Sequence, residues 1–319
     1  MRVARGKILV IRGGAIGDFI LTLPVLAALR ERFPETHLEV LGYPHIAQLA
    51  LAGGLADQVR SIEARALAGF FARGGGLDEG LKEYFAGFAL IVSFLYDPDS
   101  VFRENVARCS KAQFIAGPHR PVETEHLHAA EVFLKPLEHL AIYSADQIPR
   151  LTLPASPSIT LPKGTWLAIH PGSGSERKNW PEAQWAKLLP RLAQSTDANL
   201  LLVGGEAEGD RLRRLALLWP SDRVQVVQSL PLATVAGHLR QCHAYVGHDS
   251  GISHLAGALG LRGLILWGES NFEVWHPLSP LMTVMRPAEG LPRLAASQVL
   301  DEFRRLAPEF FDARRPSGI

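Results

Sequence analysis

The chain has 319 residues, of which 47% are hydrophobic and 20% charged, and 33 Lys and Arg against 32 Asp and Glu leave a formal charge of +1. This apolar content excludes a disordered chain, and the length predicts two domains, because one domain usually takes about 100 to 200 residues. A near-neutral charge without a run of Lys or Arg argues against a nucleic-acid-binding protein.

The cysteines and the N-terminus predict a cytoplasmic protein. Cys109 and Cys242 lie far apart and outside any Cys-x-x-Cys or Cys/His cluster, so neither a disulfide scaffold nor a zinc site is expected. The apolar run near the N-terminus is interrupted by Arg12 and Asp18, so it fits neither a signal peptide nor a spanning helix.

In the first half, residues 7–12 are predicted as a buried strand that enters a glycine loop. A helix is predicted over residues 19–33, ended by Pro34, and strands at residues 37–41 and 89–94.

The second half alternates strands and helices more regularly. Its predicted strands are residues 166–170, 199–203, 223–227, 244–247 and 263–267, and its predicted helices begin at Pro181 or cover residues 210–218, 232–240 and 252–259. The tail at residues 295–311 is predicted as an amphipathic helix, followed by the basic segment Arg314-Arg315-Pro316. This alternation predicts doubly wound sheets.

We therefore expect an α/β protein of two doubly wound, Rossmann-like domains that face each other across a cleft. The N-terminal domain is expected at residues 1–150, a proline-rich linker at 151–163 and the C-terminal domain at 164–293. A C-terminal helix is expected within residues 294–319, and one alternative is that it packs back on the N-terminal domain. Such folds bind ligands at the carboxyl ends of their strands, so we expect the chemistry in the cleft.

The glycine loop at residues 12–18 (RGGAIGD) resembles the end of a dinucleotide fingerprint. NAD binding is not expected, because Arg12 replaces the first glycine and the Asp18 carboxylate would repel a pyrophosphate. Asp18 is either an acid that stabilises the first turn of a helix or a general base, and both alternatives stay open on the residues alone.

A second loop, residues 170–181 (HPGSGSERKNWP), predicts an anion site. Small residues expose backbone N–H groups, Ser173 and Ser175 add hydroxyls, and Lys178 adds a positive charge. The alternative is a flexible surface loop with a solvated Arg-Lys pair.

Residues 247–256 (GHDSGISHLA) predict the start of a helix whose N–H groups bind a diphosphate, with Ser250 and Gly251 allowing close approach. Asp249 is interpreted mainly as the helix cap, with substrate contact as the alternative, and His254 is either packed or hydrogen-bonded.

The carboxylate of Glu206, after the strand at 199–203, has the position of a ribose ligand in such folds. Glu206 and Glu208 could equally be solvated residues at a helix start.

Four stretches together resemble the ADP-heptose:lipopolysaccharide heptosyltransferase family, also called glycosyltransferase family 9, which has the GT-B fold. They are residues 8–34 (ILVIRGGAIGDFILTLPVLAALRERFP), 170–189 (HPGSGSERKNWPEAQWAKLL), 201–208 (LLVGGEAE) and 246–260 (VGHDSGISHLAGALG). They stand in the same order as in the family. Residues 35–150, where the family binds its acceptor, match only loosely.

The resemblance implies an inverting, metal-independent glycosyltransferase that needs no cofactor. Its donor would be an ADP-sugar that carries a heptose or a related sugar, and its acceptor a lipopolysaccharide core or another cell-surface glycan or glycolipid. The implied roles are Asp18 as the base, Ser173, Gly174, Ser175 and Lys178 on the donor phosphates, Glu206 on the nucleoside sugar, and Asp249, Ser250, Gly251 and His254 along the diphosphate and sugar.

Two segments depart from the family pattern. Residues 268–271 (GESN) replace a Gly-Pro-Thr-Asp turn, which leaves recognition of the base or donor sugar open. Residues 70–76 (FFARGGG) are either a mobile acceptor loop or an ordinary glycine-rich connection.

Partners and alternative functions also remain open on the sequence. A peripheral contact with the inner face of the inner membrane would need only a basic patch, and Arg60, Arg65, Arg73 and Arg120 are candidates for meeting acceptor phosphates. A nucleotide-sugar epimerase or hydrolase of the same fold is the first alternative function. A non-catalytic sugar-nucleotide-binding protein is the second.

Overall fold

A computed structural model describes residues 6–155 and 159–312, and the chain divides into two compact units, Met1–Thr152 and Leu153–Ile319. The predicted basic segment Arg314-Arg315-Pro316 lies outside the described residues. Each unit is built on a parallel β-sheet with helices between successive strands. The expected α/β class, with two doubly wound halves, is confirmed.

The first unit contains a five-stranded sheet in the order β3-β2-β1-β4-β5. Its strands are β1 (Lys7–Arg12), β2 (Leu38–Gly42), β3 (Gln58–Ser61), β4 (Phe88–Ser93) and β5 (Gln113–Ala116). Its α-helices are α1 (Ile16–Ile20), α2 (Leu23–Arg32), α3 (Pro44–Ala52), α4 (Glu79–Ala86), α5 (Val101–Ala107) and α6 (Ala129–Leu134), and its 3-10 helices are Arg65–Phe71, Glu123–Glu125 and Lys135–Leu140.

The second unit contains a six-stranded sheet in the order β11-β10-β9-β6-β7-β8. Its strands are β6 (Trp166–His170), β7 (Asn199–Gly204), β8 (Val224–Gln228), β9 (Ala244–His248), β10 (Arg262–Leu266) and β11 (Met282–Met285). Its α-helices are α7 (Glu182–Ser195), α8 (Arg211–Ala216), α9 (Leu232–Leu239), α10 (Gly251–Ala258), α11 (Phe272–Trp275), α12 (Ala296–Leu306) and α13 (Glu309–Asp312), and its 3-10 helices are Glu176–Lys178, Glu206–Glu208, Ser221–Arg223 and Leu291–Arg293.

The two sheets share one winding pattern, which determines where a ligand can bind. In the first unit the chain winds outward from β1 to β3 and then returns to the other side of β1 with β4. In the second unit it winds outward from β6 to β8 and returns beside β6 with β9. The strand order therefore reverses between β1 and β4 and between β6 and β9. Such switch points leave a crevice at the carboxyl ends of the strands, where doubly wound folds bind ligands.

The helix predicted at residues 19–33 is in fact two helices, α1 and α2, so this prediction is wrong. The break falls at Leu21 and Thr22. Pro24 stands in the first turn of α2 and has no N–H, so it cannot donate the backbone hydrogen bond that would continue α1 into α2. The Thr22 hydroxyl donates to the Asp18 carbonyl at 2.8 Å and satisfies a carbonyl near the break.

The C-terminal helix, α12, packs against α7 of the second unit. Val299, Leu300 and Phe303 of α12 belong to the buried core of that unit. Among the described residues, we find no helix with the length and apolar character needed to cross a membrane.

Candidate active site

Asp18 stands in the first turn of α1, directly after the loop that leaves β1. Its Oδ2 accepts a hydrogen bond from the Ala15 N–H at 3.0 Å. Gly14 has a φ of +97°, and a Cβ at this position would lie 2.8 Å from Asp18 Oδ2. The glycine therefore provides both the backbone conformation and the space for the carboxylate.

Behind Asp18 lies a buried arginine. Arg12 is 2% exposed, and its Nη2 lies 4.0 Å from Asp18 Oδ1. The Arg12 guanidinium also donates to the carbonyls of His119 at 2.9 Å and Asp18 at 3.3 Å. Burial lowers the pKa of Arg12 to about 10, an effect that Asp18 partly opposes, so the guanidinium stays charged at neutral pH.

The pair is arranged so that the carboxylate, not the cation, faces outward. The Asp18 side chain is 22% exposed, roughly ten times the exposed fraction of Arg12. A carboxylate held at a switch point, with a fixed positive charge behind it, can accept a proton from a bound hydroxyl group.

Residues 70–76, the proposed acceptor loop, are anchored on α5. The side-chain amide of Asn105 donates to the carbonyls of Gly69, Phe70 and Ala72 at 3.4, 3.0 and 2.9 Å. Arg108 donates to the Gly75 carbonyl at 3.0 Å. These contacts hold the segment at both ends, and its role toward an acceptor stays a prediction.

In the second unit, a buried histidine holds both ends of the loop that follows β6. His248, the last residue of β9, accepts the Trp180 N–H on Nε2 at 2.9 Å, so its Nδ1 carries the proton and donates to the Gly172 carbonyl at 3.3 Å. Burial lowers the pKa of His248 to about 3 and so keeps the ring neutral, as the accepting Nε2 requires. Sequence reasoning missed His248, although its place at the end of a buried strand was a signal.

Lys178 and Asp249 form the ion pair at this second switch point. Lys178 Nζ donates to Asp249 Oδ2 at 2.6 Å, with the lysine side chain 39% exposed and the aspartate 8% exposed. The interpretation of Asp249 as the cap of α10 is therefore wrong, since the N-cap is Ser250, whose hydroxyl accepts from the Ser253 N–H at 3.3 Å. Because the Ser250 hydroxyl already accepts the Ser253 N–H, the Asp249 carboxylate is not needed as a cap and pairs with Lys178 instead.

The other predicted donor residues occupy this carboxyl edge of the second sheet. Gly174 and Ser175 are exposed in the loop, and Gly251 is the first residue of α10. The Ser173 hydroxyl points back into its own loop, with Ser175 O at 2.8 Å and Asn179 Oδ1 at 2.7 Å. His254 is buried one turn into α10.

The two glutamates after β7 have different environments. Glu206 is exposed, whereas Glu208 is buried and accepts the Gly205 N–H on Oε2 at 2.6 Å. A side chain at Gly172 would collide with the Glu208 carboxylate, so this glutamate packs against the backbone of the loop that follows β6. Glu208 was not among the predicted site residues, and the available signal was its position three residues after Gly205, from which a Glu side chain can reach back to the N-cap N–H.

The described residues contain no group of three His, Cys, Asp or Glu side chains that could hold a metal ion. After β10, residues 268–271 begin a turn in which the Trp267 indole donates to the Ser270 carbonyl at 2.9 Å. Phe272 then stacks on His276 with ring centroids 4.4 Å apart, and the guanidinium carbon of Arg286 lies 4.5 Å from the centre of the Phe272 ring.

Comparison with known proteins points to one family. The family model described as glycosyltransferase family 9 (heptosyltransferase) matches residues 144–303. A putative glycosyltransferase of Haemophilus influenzae is 26% identical over 300 residues, which cover 86% of each chain. Lipopolysaccharide heptosyltransferase 1 of Pseudomonas aeruginosa is 34% identical over 110 residues, or 34% of this chain and 30% of the relative.

The likeness among solved structures extends over nearly the whole chain. The structure of Escherichia coli ADP-heptose lipopolysaccharide heptosyltransferase II matches with a TM-score of 0.78 at 16% identity, covering 95% of this chain and 99% of that one. The expected GT-B fold is thereby confirmed.

Proposed function

The chain belongs to glycosyltransferase family 9 and is a glycosyltransferase, and from this premise we propose that it transfers a heptose or a related sugar from an ADP-sugar to a glycan acceptor. The acceptor is a lipopolysaccharide core or another cell-surface glycan. The named activities of the relatives support this choice of donor and acceptor.

One observation carries the assignment of roles: the ion pairs at the two switch points present opposite charges outward. The first unit exposes the carboxylate of Asp18 over a buried arginine, and the second exposes the ammonium of Lys178 over a buried aspartate. A carboxylate suits a base for the acceptor, and a cation suits the diphosphate of the donor.

In the proposed reaction, the acceptor hydroxyl oxygen attacks the anomeric carbon from the face opposite the diphosphate. The proton of that hydroxyl passes to Asp18 as the new carbon–oxygen bond forms. The bond from the anomeric carbon to the diphosphate oxygen breaks, and its electron pair leaves with ADP. One displacement of this kind inverts the anomeric centre.

We propose that Lys178 and the backbone N–H groups at the start of α10 stabilise the negative charge that develops on the departing diphosphate. Positive charge and unpaired N–H groups at a helix N-terminus stabilise a phosphate leaving group. We propose that these groups suffice without a metal ion. Transfer should then proceed at an unchanged rate in buffer that contains EDTA, and strict dependence on added Mg²⁺ or iron would contradict this assignment.

The central experiment replaces the proposed base. Asp18→Asn keeps the size of the side chain but cannot accept the proton, so kcat should fall by about 100- to 10,000-fold. Binding of ADP, measured by calorimetry, should stay within about twofold because the donor groups lie on the second unit. A variant with wild-type turnover would overturn the base assignment.

The same assay distinguishes the two alternative functions. An epimerase or hydrolase would consume the sugar nucleotide with no glycan present, and a non-catalytic binding protein would retain it unchanged in every mixture. Product analysis with ADP-heptose, with and without a heptose-deficient lipopolysaccharide core, is expected to show consumption only with the acceptor.

The expected contact with the inner membrane remains a proposal. Among the arginines proposed to meet acceptor phosphates, Arg73 Nη2 lies 3.2 Å from Asp99 Oδ2 and Arg120 Nη2 lies 3.8 Å from Glu123 Oε1. The Arg60 guanidinium carbon lies 4.0 Å from the centre of the Tyr84 ring. Sedimentation with anionic vesicles, compared with neutral ones, tests whether these partly paired charges hold the protein at a membrane.

A further inference from the structure

An exposed aromatic pair lies at the carboxyl edge of the first sheet. The Tyr96 side chain is 71% exposed, and its ring centroid is 4.6 Å from that of His119. A tyrosine so open to water that still packs on a second ring presents a fixed apolar face. An aromatic ring exposed in this way has one face available to pack against a ligand.

The pair lies beside the proposed base. Tyr96 follows β4, the strand next to β1, so it stands on the β4 side of the switch point. The carbonyl of His119 accepts a hydrogen bond from Arg12, whose guanidinium contacts Asp18. One buried arginine therefore fixes both the base and the residue on which Tyr96 packs.

The backbone beneath the tyrosine is also held. The Asp97 carboxylate accepts the N–H groups of Phe102 and Arg103 at 3.1 and 3.0 Å, which ties the residue after Tyr96 to the start of α5. The turn that carries Tyr96 is therefore ordered before a ligand binds, and ordering it costs no conformational entropy on binding.

A second aromatic pair flanks the other side of the Asp18 loop. Tyr43 follows β2, and its ring centroid lies 5.8 Å from that of His45. A Cβ at Gly13 would lie 3.7 Å from the Tyr43 ring, so Tyr43 closely borders the loop. The loop of Asp18 thus lies between two tyrosine–histidine pairs.

We propose that Tyr96, supported by His119, is a stacking platform for a sugar ring of the acceptor and so a specificity-determining residue. This inference rests on the proposed function, since it takes the acceptor to be a glycan and Asp18 to be its base. An aromatic face packs against the C–H face of a pyranose ring and leaves the hydroxyls free to bond with water or with Asp18. A platform of this kind binds the acceptor sugar equally in the ground state and the transition state, so it lowers the KM for the acceptor without changing kcat.

The experiment measures transfer from ADP-heptose to a deacylated, heptose-deficient core oligosaccharide. Tyr96→Ala should raise the KM for the oligosaccharide about tenfold, the size expected for a lost aromatic contact, with kcat and the KM for ADP-heptose within about twofold of wild type. Tyr96→Phe keeps the ring and should restore the wild-type KM.

Tyr143→Ala is the matched control, because Tyr143 is equally exposed at 74% but follows the 3-10 helix Lys135–Leu140 instead of a strand of the sheet. This variant should leave every kinetic constant unchanged.

Three outcomes would overturn the inference. They are an unchanged KM for the oligosaccharide in Tyr96→Ala, an equal rise in Tyr143→Ala, and an effect seen only with an acylated acceptor, which would indicate a lipid contact. Failure of the proposed function looks different, since the wild-type protein itself would then transfer no sugar to the oligosaccharide.

Discussion

The two sheets of this protein have the same winding pattern but differ in the ion pair at the switch point. In the first unit, Arg12 and Asp18 are six residues apart on either side of one short loop, and the cation is buried. In the second unit, Lys178 and Asp249 are 71 residues apart on two loops, and the anion is buried. The same strand order can therefore expose either a carboxylate or a cation at the switch point, depending on which partner of the ion pair is buried.

The groups that support the two pairs differ as well. In the first unit the buried group is charged and sits among rings, with the Arg12 guanidinium carbon 4.3 Å from the centre of the Phe133 ring. In the second unit the loop is held by the neutral His248. The support of the first pair should therefore depend on the positive charge of Arg12. The support of the second pair should depend on His248 staying neutral.

Removing the buried cation is the largest test of this difference. Arg12→Met leaves the His119 carbonyl and the Asp18 carboxylate without their partner, so the free energy of unfolding of the first unit should fall by about 3 kcal/mol. Thermal denaturation followed by far-ultraviolet circular dichroism measures the loss.

Arg150→Met is the control for Arg12→Met, because it breaks an exposed pair with Asp146 in the same unit and should cost less than about 1 kcal/mol. Equal losses in the two variants would mean that the burial of Arg12 does not matter.

Removing the exposed cation of the second unit should affect the ligand more than the fold. Lys178→Met removes the charge proposed to meet the donor diphosphate, so the Kd for ADP should rise about 10- to 100-fold. Calorimetry with ADP measures it.

Lys187→Met removes an exposed lysine on α7 of the same unit and should leave the Kd for ADP unchanged. If Lys178→Met binds ADP as tightly as wild type, the ion pair at the second switch point is structural only.

The neutral histidine predicts a smaller effect that depends on pH. The pKa of His248 falls from 6.5 to about 3 on folding, so below pH 6.5 the unfolded chain takes up a proton that the folded chain refuses. The stabilisation is complete above pH 6.5 and is lost as the pH falls toward 3. Between about pH 7.5 and 5.5 the free energy of unfolding should fall by about 1 kcal/mol through this group.

Urea denaturation followed by tryptophan fluorescence reports on the unfolding of the second unit, since all six tryptophans lie there. The pKa of the neighbouring His170 is also lowered by burial and adds a drop of the same sign. In His248→Gln, the pH dependence of the free energy of unfolding should decrease by the contribution of His248. A variant with the full wild-type pH dependence would contradict the burial argument.

Local sequence patterns were enough to place most elements of the second unit, although β11 was missed and the helix predicted at residues 295–311 is in fact two helices, α12 and α13. The strands and helices predicted there agree with β6 to β10 and α7 to α10 within about two residues at each end. The prediction failed at residues 19–33, where apolar spacing alone did not show the interruption before Pro24. Short edge strands such as β3 carried too few residues for a pattern and were missed.

The sequence by itself determined that two α/β halves each end a strand in a polar, glycine-containing loop, because strand periodicity and glycine placement are properties of a few neighbouring residues. Only the tertiary structure decided that Asp249 faces Lys178, that Glu208 is buried while Glu206 is exposed, and that His119 joins Arg12 to Tyr96. Those outcomes depend on which strands become neighbours. The fold brings together residues as distant in sequence as Arg12 and His119, which are 107 positions apart, and no local pattern contains that information.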